Sequence, residues 1–244
     1  MIDTGQRLIV RASMRALVVA IDGPAGAGKS TVSRELARRL GYRLLDTGAI
    51  YRTVALLALE RGVDLANGPE CARIAAGLDI DFCFAGEVNR VLAGGREVTT
   101  QIRAPEVSQA SSKVSALPEV RAALLDLQRR LGAAGGVVAE GRDVGTVVFP
   151  DAGAKFFLTA ATAVRARRRF EELRAAGRQV ELAATMAEVV ERDSRDEGRK
   201  VAPLRRAADA VLVDASDLTV DEVLSVMESV VRERSNTEAP PATW

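Results

Sequence analysis

Gly23-Pro24-Ala25-Gly26-Ala27-Gly28-Lys29-Ser30-Thr31 is a stretch whose residue types and spacing suit phosphate chemistry. In the pattern G-x-x-x-x-G-K-[ST], the glycines let consecutive backbone N–H groups converge on a polyphosphate at a helix N-terminus. Free amides and the helix dipole both favour negative charge there. Lys29 would reach the β- and γ-phosphates of a bound nucleotide, and the Ser30 hydroxyl would sit on Mg²⁺. A glycine-rich turn with no ligand is the plainer alternative. The spacing, the Lys-Ser pair and the strand and helix patterns on either side argue against it.

Further polar clusters follow. Asp46, Thr47, Tyr51 and Arg52 stand where a short apolar run gives way to a helical pattern, although Asp46 or Thr47 would also serve as a simple helix cap. Arg142 and Asp143 stand at the exit of the run Val137 to Glu140, between two glycines; a surface pair between them is the bland alternative. Arg165, Arg168 and Arg169 share one helix face while Arg167 points elsewhere, an arrangement that a solvated charged face would also explain. Arg192, Arg195, Asp196 and Arg199 lie at i, i+3, i+4 and i+7, a single polar stripe if the helix extends that far.

Composition narrows the chemistry. Histidine is absent from the 244 residues, which excludes histidine triads, imidazole metal sites and any histidine general base. Two cysteines, Cys71 and Cys83, cannot complete a tetrahedral zinc site. A net charge of +1 and 4% aromatic residues provide neither the basic field nor the stacking platforms of a nucleic-acid binder. Only four of the 34 basic residues are lysines, one of them Lys29; the rest are arginines, suited to bidentate phosphate contacts. No apolar run approaches ~20 residues and no signal-peptide pattern opens the chain, so a cytoplasmic location with no membrane partner is expected. No nucleic-acid partner and a monomer are expected beside it, although no residue pattern reports the oligomeric state.

The elements that must position these groups can be read in order. Ala16 to Ile21 predicts a strand feeding the loop, and Val32 to Leu40 an amphipathic helix after it. A second strand begins at Tyr42 and its helix runs to Arg61. From Val63 to Arg103 the texture changes to a short helix, Pro69 to Gly77, and a small antiparallel meander over Leu78–Phe84, Val88–Leu92 and Arg96–Thr99, read as an insertion at 63–103. Pro105 to Leu131 predicts two helices, the second starting at Pro118. Strands follow at Val137, Lys155–Ala160 and Ala210–Asp214, with helices Thr162–Ala176, Glu181–Glu197 and Val220–Arg234 between and after them. Five parallel-strand candidates alternating with helices make an α/β fold, whose ligands bind at the carboxyl ends of the strands. The core is expected at 14–62 and 104–234, with a helical lid near 165–200 around Gly177. Residues 1–13 read as an extension, with Met14 a possible start, and 235–244 as a disordered tail.

The motifs GPAGAGKST, LLDTGAIYR, EGRDVGTVVFP and Arg-Asp-x-Arg-Asp, in that order, resemble those of the bacterial cytidylate kinases over about Met14 to Arg234. The resemblance implies a P-loop kinase whose five-stranded parallel sheet carries a small antiparallel sheet in the part that binds the nucleoside monophosphate. It implies ATP with Mg²⁺ as one substrate and CMP or dCMP as the other. Gly23 to Thr31 would hold ATP, while Thr47, Ser112, Arg121, Arg142, Asp143, Arg192, Asp196, Arg199 and Arg52 would surround CMP, with Asp46 and Tyr51 from the second-strand cluster. Ser112, Arg121 and Asp143 would read cytosine, which offers N3 as acceptor and N4 as donor. Arg52, Arg142 and Arg199 would hold the monophosphate, and Arg192 and Asp196 the ribose. Some relatives have Ser in place of Thr47 and Asp in place of Glu140, changes that keep hydroxyl and carboxylate.

Transfer to a phosphate needs no general base, because its second pKa of about 6 leaves it anionic near neutrality. Charge management by Lys29, Arg142, Arg165, Arg168 and Arg199 is the expected catalytic contribution. A P-loop kinase acting on an alcohol, with Asp46 as base, is the nearest rival. A nucleotide-driven switch is a more distant one; the chain lacks both an apolar run ending in Asp-Glu and an N-K-x-D guanine reader.

Overall fold

The computed structural model describes residues 16–85 and 88–237. The extension expected at 1–13, the turn residues Gly86 and Glu87, and the end of the tail lie outside them.

Five strands form one parallel sheet: β1 (Val18–Asp22), β2 (Arg43–Asp46), β6 (Val137–Gly141), β7 (Ala154–Thr159) and β8 (Val211–Asp214), in the order β2-β6-β1-β7-β8. Alternation of side chains along a strand sends neighbours to opposite layers. Val19, Ile21 and Val138 therefore join the core under the flanking helices α1 (Lys29–Leu40) and α8 (Val220–Thr237), beside Leu36, Phe156, Leu224 and Met227. Ala20, Val137 and Ala139 face the other layer, built from α2 (Thr47–Glu60), α4 (Pro105–Val114) and α5 (Pro118–Gly132). Prolines open α4 and α5, where a missing N–H costs no hydrogen bond.

Between α2 and α4 come α3 (Gly68–Ala76) and a three-stranded antiparallel sheet, β3 (Ile80–Ala85), β4 (Val88–Ala93) and β5 (Arg96–Glu97). The last of these is only two residues long, shorter than the alternation suggested. Cys71, Ile74, Ile80, Val91 and Val98 lie in the same apolar cluster as Val120 and Leu124 of α5, so the inserted segment shares the main core.

Parallel register sets the strand ends level. Asp46 and Ile21 lie opposite Glu140, and Asp22 opposite Gly141. All the loops that follow these residues open on one edge of the sheet, the edge where a doubly wound fold binds ligands. Beyond β7, α6 (Thr162–Ala175) and α7 (Leu182–Glu197) form a hairpin around Gly177. α8 continues past the expected end at Arg234 to Thr237, and Ser235 is buried. No helix of the described residues is long and apolar enough to cross a membrane.

Candidate active site

The loop after β1 turns through Gly23 and Gly26 to Gly28, whose φ of 92° is the left-handed conformation that lets it cap α1. At Gly23 even a methyl group is excluded, since a Cβ there would lie 1.9 Å from the Leu158 carbonyl oxygen. The first turn of α1 thus presents its amides to the strand edge, with Lys29 and Ser30 at its start. Lys29 is buried and donates to the Pro24 carbonyl at 2.6 Å. Burial, reinforced by the charge of Arg142, holds its ammonium well below the usual lysine range. Ser30 donates to Glu140 Oε2 at 3.1 Å, while Glu140 Oε1 is buried with no hydrogen-bond partner among the described residues. Burial and the nearby Asp46 push the Glu140 carboxyl up to about 7.

Asp46 caps α2 and does more than cap. Its Oδ1 accepts from the Ala49 amide at 2.8 Å and its Oδ2 from Arg52 at 2.7 Å. Thr47 donates to the Glu140 carbonyl at 2.7 Å, tying α2 to β6. A carboxylate so engaged is no free base, which removes the support for an alcohol kinase.

At the exit of β6, Arg142 and Asp143 do not pair with each other. Arg142 Nε donates to Asp196 Oδ2 of α7 at 2.7 Å, and Asp143 is held by Arg121 of α5 in a buried pair. Arg121 also lies 5.5 Å from the centre of the Tyr51 ring and donates to the Ser115 carbonyl at 3.2 Å. Burial works against the charge of Arg121, but Tyr51 and Asp143 outweigh it and raise its pKa. The chain then makes one turn of π-helix, Val144–Val148, a rare geometry found mostly at functional sites.

The α7 helix ends at Glu197, where the sequence places its end, and Gly198 caps it, so the stripe to Arg199, which required a longer helix, does not form. Arg199 nonetheless folds back to pair with Asp196 and to donate to Ser115 Oγ at 3.1 Å. Burial opposes the charge on Asp196, yet Arg142, Arg199 and Arg192 overcome it and keep its carboxyl low. Arg192 is driven down to about 9 by burial and then by Arg142. Arg195 leaves the stripe and donates to Ser112 Oγ at 2.8 Å. On α6, Arg165 bonds the Ala25 carbonyl of the loop at 3.1 Å and Asp193 of α7 at 2.7 Å. Arg168 donates to the Ala215 carbonyl at 2.7 Å and borders Gly28. Arg169 turns away to Glu172 of its own helix, as a solvated charge does.

The expected site residues therefore converge on one edge, from the loop after β1, the start of α1, the end of β2, the exit of β6, and α2, α4, α5, α6, α7 and the segment after α7. Tyr51, Arg121, Gln128, Asp143 and Ala202 line an open pocket of about 220 Å³ there. A second pocket of similar size, beside Arg61 and Arg73, lies on the inserted segment and gathers none of them. The Nε atoms of Arg52, Arg121, Arg192 and Arg199 are buried without partners among the described residues, a group of donors aimed at no protein acceptor. Asp22, Glu140, Ser115, Asp193 and Arg195 also belong to this edge and were not singled out as binding residues in the sequence. Glu140 lies in the EGRD run and Asp193 and Arg195 in the Arg-Asp-x-Arg-Asp motif, while Asp22 and Ser115 carry no such signal.

A family profile described as cytidylate kinase matches residues 19–233. A cytidylate kinase of Citrifermentans bemidjiense is 51% identical over 218 residues, 89% of this chain and 94% of its own length. One of Geobacter sulfurreducens is 52% identical over 223 residues, 91% of this chain and 96% of its own. One of Vibrio cholerae is 50% identical over 207 residues, 85% and 92% of the two chains. With a profile spanning nearly the whole folded region and relatives half identical across it, the chain belongs to the cytidylate kinase family.

Proposed function

We propose that this protein transfers the γ-phosphoryl group of ATP to the phosphate of CMP, and of dCMP, releasing ADP with CDP or dCDP. The observation that carries the reading is the juxtaposition, on one edge of the sheet, of the glycine-lined loop around Lys29 with Arg52, Arg121, Arg142, Arg192 and Arg199, of which all but Arg142 have a buried Nε without a partner among the described residues. Belonging to the family supports the choice of CMP.

The chemistry follows from charge. The acceptor oxygen is already anionic near neutrality, so no residue has to remove a proton, and none of the histidine type is present. Two anions must meet in line, which is unfavourable until cations surround them. Lys29, buried and disfavoured as a bare ammonium, gains counter-charge from a triphosphate. Arg142 reaches between β6 and α7, where it can follow the transferring group from donor to acceptor, with Arg165 and Arg168 on the ATP side and Arg52 and Arg199 on the CMP side. Asp143 and Arg121 present an acceptor and a donor in fixed relation, the kind of pair that distinguishes cytosine from uracil. Arg192 and Asp196 would meet the ribose.

The donor set also fits Mg²⁺: an oxygen of Glu140 is buried and unpartnered beside the Ser30 hydroxyl. Ser30, with Glu140 behind it, would hold the ion, which supplies charge neutralisation on the β- and γ-phosphates. The α6–α7 hairpin, linked to the loop through Arg165, would close over the substrates and keep water from taking the phosphoryl group. A cytoplasmic monomer completes this reading.

ADP release measured with CMP, dCMP, UMP and AMP in turn tests it. CMP and dCMP should stimulate turnover most, with UMP behind them. Turnover of ATP at one rate with or without CMP would defeat the proposal.

A further inference from the structure

One buried carboxylate at this edge has no part in the chemistry above. Asp22 is the last residue of β1, immediately before Gly23, and is 3% exposed. Both of its oxygens are committed to backbone amides: Oδ1 accepts from Val144 N and Oδ2 from Gly145 N, each at 2.7 Å. These partners lie more than a hundred residues away in sequence, on the far side of the strand junction. Burial of the carboxyl is unfavourable and pushes it up to about 6, while the two amide bonds pull it back. The close approach depends on Gly145, where a Cβ would lie 3.3 Å from Asp22 Oδ2 and 3.3 Å from the Lys155 side chain.

The two amides open the π-turn that Asp143 caps, and Arg142 immediately precedes Asp143. The carboxylate therefore grips the backbone at the point from which the guanidinium of Arg142 and the carboxylate of Asp143 project to α7 and α5. A carboxylate suits two consecutive amides because it offers one acceptor to each and no donor to oppose either. An asparagine in its place would turn an NH₂ toward one of the two N–H groups.

We propose that Asp22 is a positioning residue for the monophosphate pocket: a side chain rooted in the ATP loop clamps the Arg142–Asp143 corner and so sets how CMP is held and how its base is read. The proposal rests on the reading of Arg142 and Asp143 as CMP contacts.

Steady-state ADP release separates the possibilities, with CMP and ATP varied independently and UMP as the competing acceptor. For Asp22→Asn, KM for CMP should rise about tenfold, the factor that corresponds to one lost charge-assisted hydrogen bond, and the CMP-over-UMP preference should shrink. KM for ATP should stay within about twofold. Gly145→Ala, which crowds the same clamp from the other side, should shift CMP more than ATP in the same way, and stands in if Asp22→Asn does not fold. Equal effects on both substrates, or an unchanged CMP KM and preference in a variant that folds, would overturn the proposal. A wild-type protein that CMP does not stimulate would instead overturn the functional reading beneath it.

Discussion

Replacing Arg121 by Met removes a guanidinium while keeping most of the stem that packs beside Tyr51. Three interactions go with it: the buried pair with Asp143, the bond to the Ser115 carbonyl and the cation–π contact with Tyr51. Asp143 is 5% exposed, so the single variant strands a carboxylate inside the protein, and breaking such a pair from one side costs about 3–5 kcal/mol of stability. Loss of one charge-assisted contact to the base corresponds to about 1.5–3 kcal/mol, or roughly 10- to 150-fold in kcat/KM for CMP. UMP turnover and KM for ATP should change far less. Stability and selectivity can be separated with Arg121→Met/Asp143→Leu, which replaces both buried charges by apolar groups. Such exchanges are often neutral in stability. Urea unfolding of the double variant should recover most of the loss, while ADP release should show CMP and UMP used almost alike. A double variant that keeps the wild-type CMP preference would refute the base-reading role of this pair. A single variant as stable as the wild type would refute the claim that Arg121 is what makes burial of Asp143 tolerable.

Other perturbations follow from the same geometry. Gly23→Ala places a methyl group against the Leu158 carbonyl at a φ of 153°, so about 1–3 kcal/mol of backbone strain, together with the overlap, should weaken ATP binding by calorimetry while the CMP pocket is spared. Glu140→Gln removes the charge behind Ser30, and the Mg²⁺ concentration that half-saturates ADP formation should rise about 10- to 100-fold. Asp22 carries its proton more tightly folded than unfolded, with its carboxyl moved from 3.8 to about 6. Its contribution to stability is therefore complete below about pH 4 and is lost as pH rises through about 6, a change of about 3 kcal/mol. Urea unfolding of wild type and Asp22→Asn at about pH 4 and about pH 7 should show that difference, with the wild type losing ground relative to the variant at the higher pH.

The legible parts were those encoded locally. The phosphate loop announces itself within nine residues, and the period of the apolar runs places the five parallel strands and their helices. Sharing of one core between Ile74 or Val91 and Leu124 is a matter of packing across the chain, and no period reveals it. Arg165 and Arg169 share a spacing pattern, but only the burial of the first against the loop separates them. The end of α7 at Glu197 is legible before Gly198, but the return of Arg199 to Asp196 beyond that end is not. Asp22 reads as the polar end of a strand, and nothing nearby in sequence hints that its partners are Val144 and Gly145.

Arg52 with Asp46, Arg121 with Asp143, Arg142 and Arg199 with Asp196, and Arg165 with Asp193 set four carboxylates against five arginines of the cleft, while Lys29 and Arg192 form no ion pair among the described residues. The positive excess of the cleft is thus concentrated at Lys29 and Arg192 rather than spread over every arginine. A stray anion gains little from the paired arginines until it offers hydrogen bonds that outcompete the carboxylates already in place. Admission becomes a question of shape and pairing, which lets a pocket crowded with arginines work among the abundant anions of a cell.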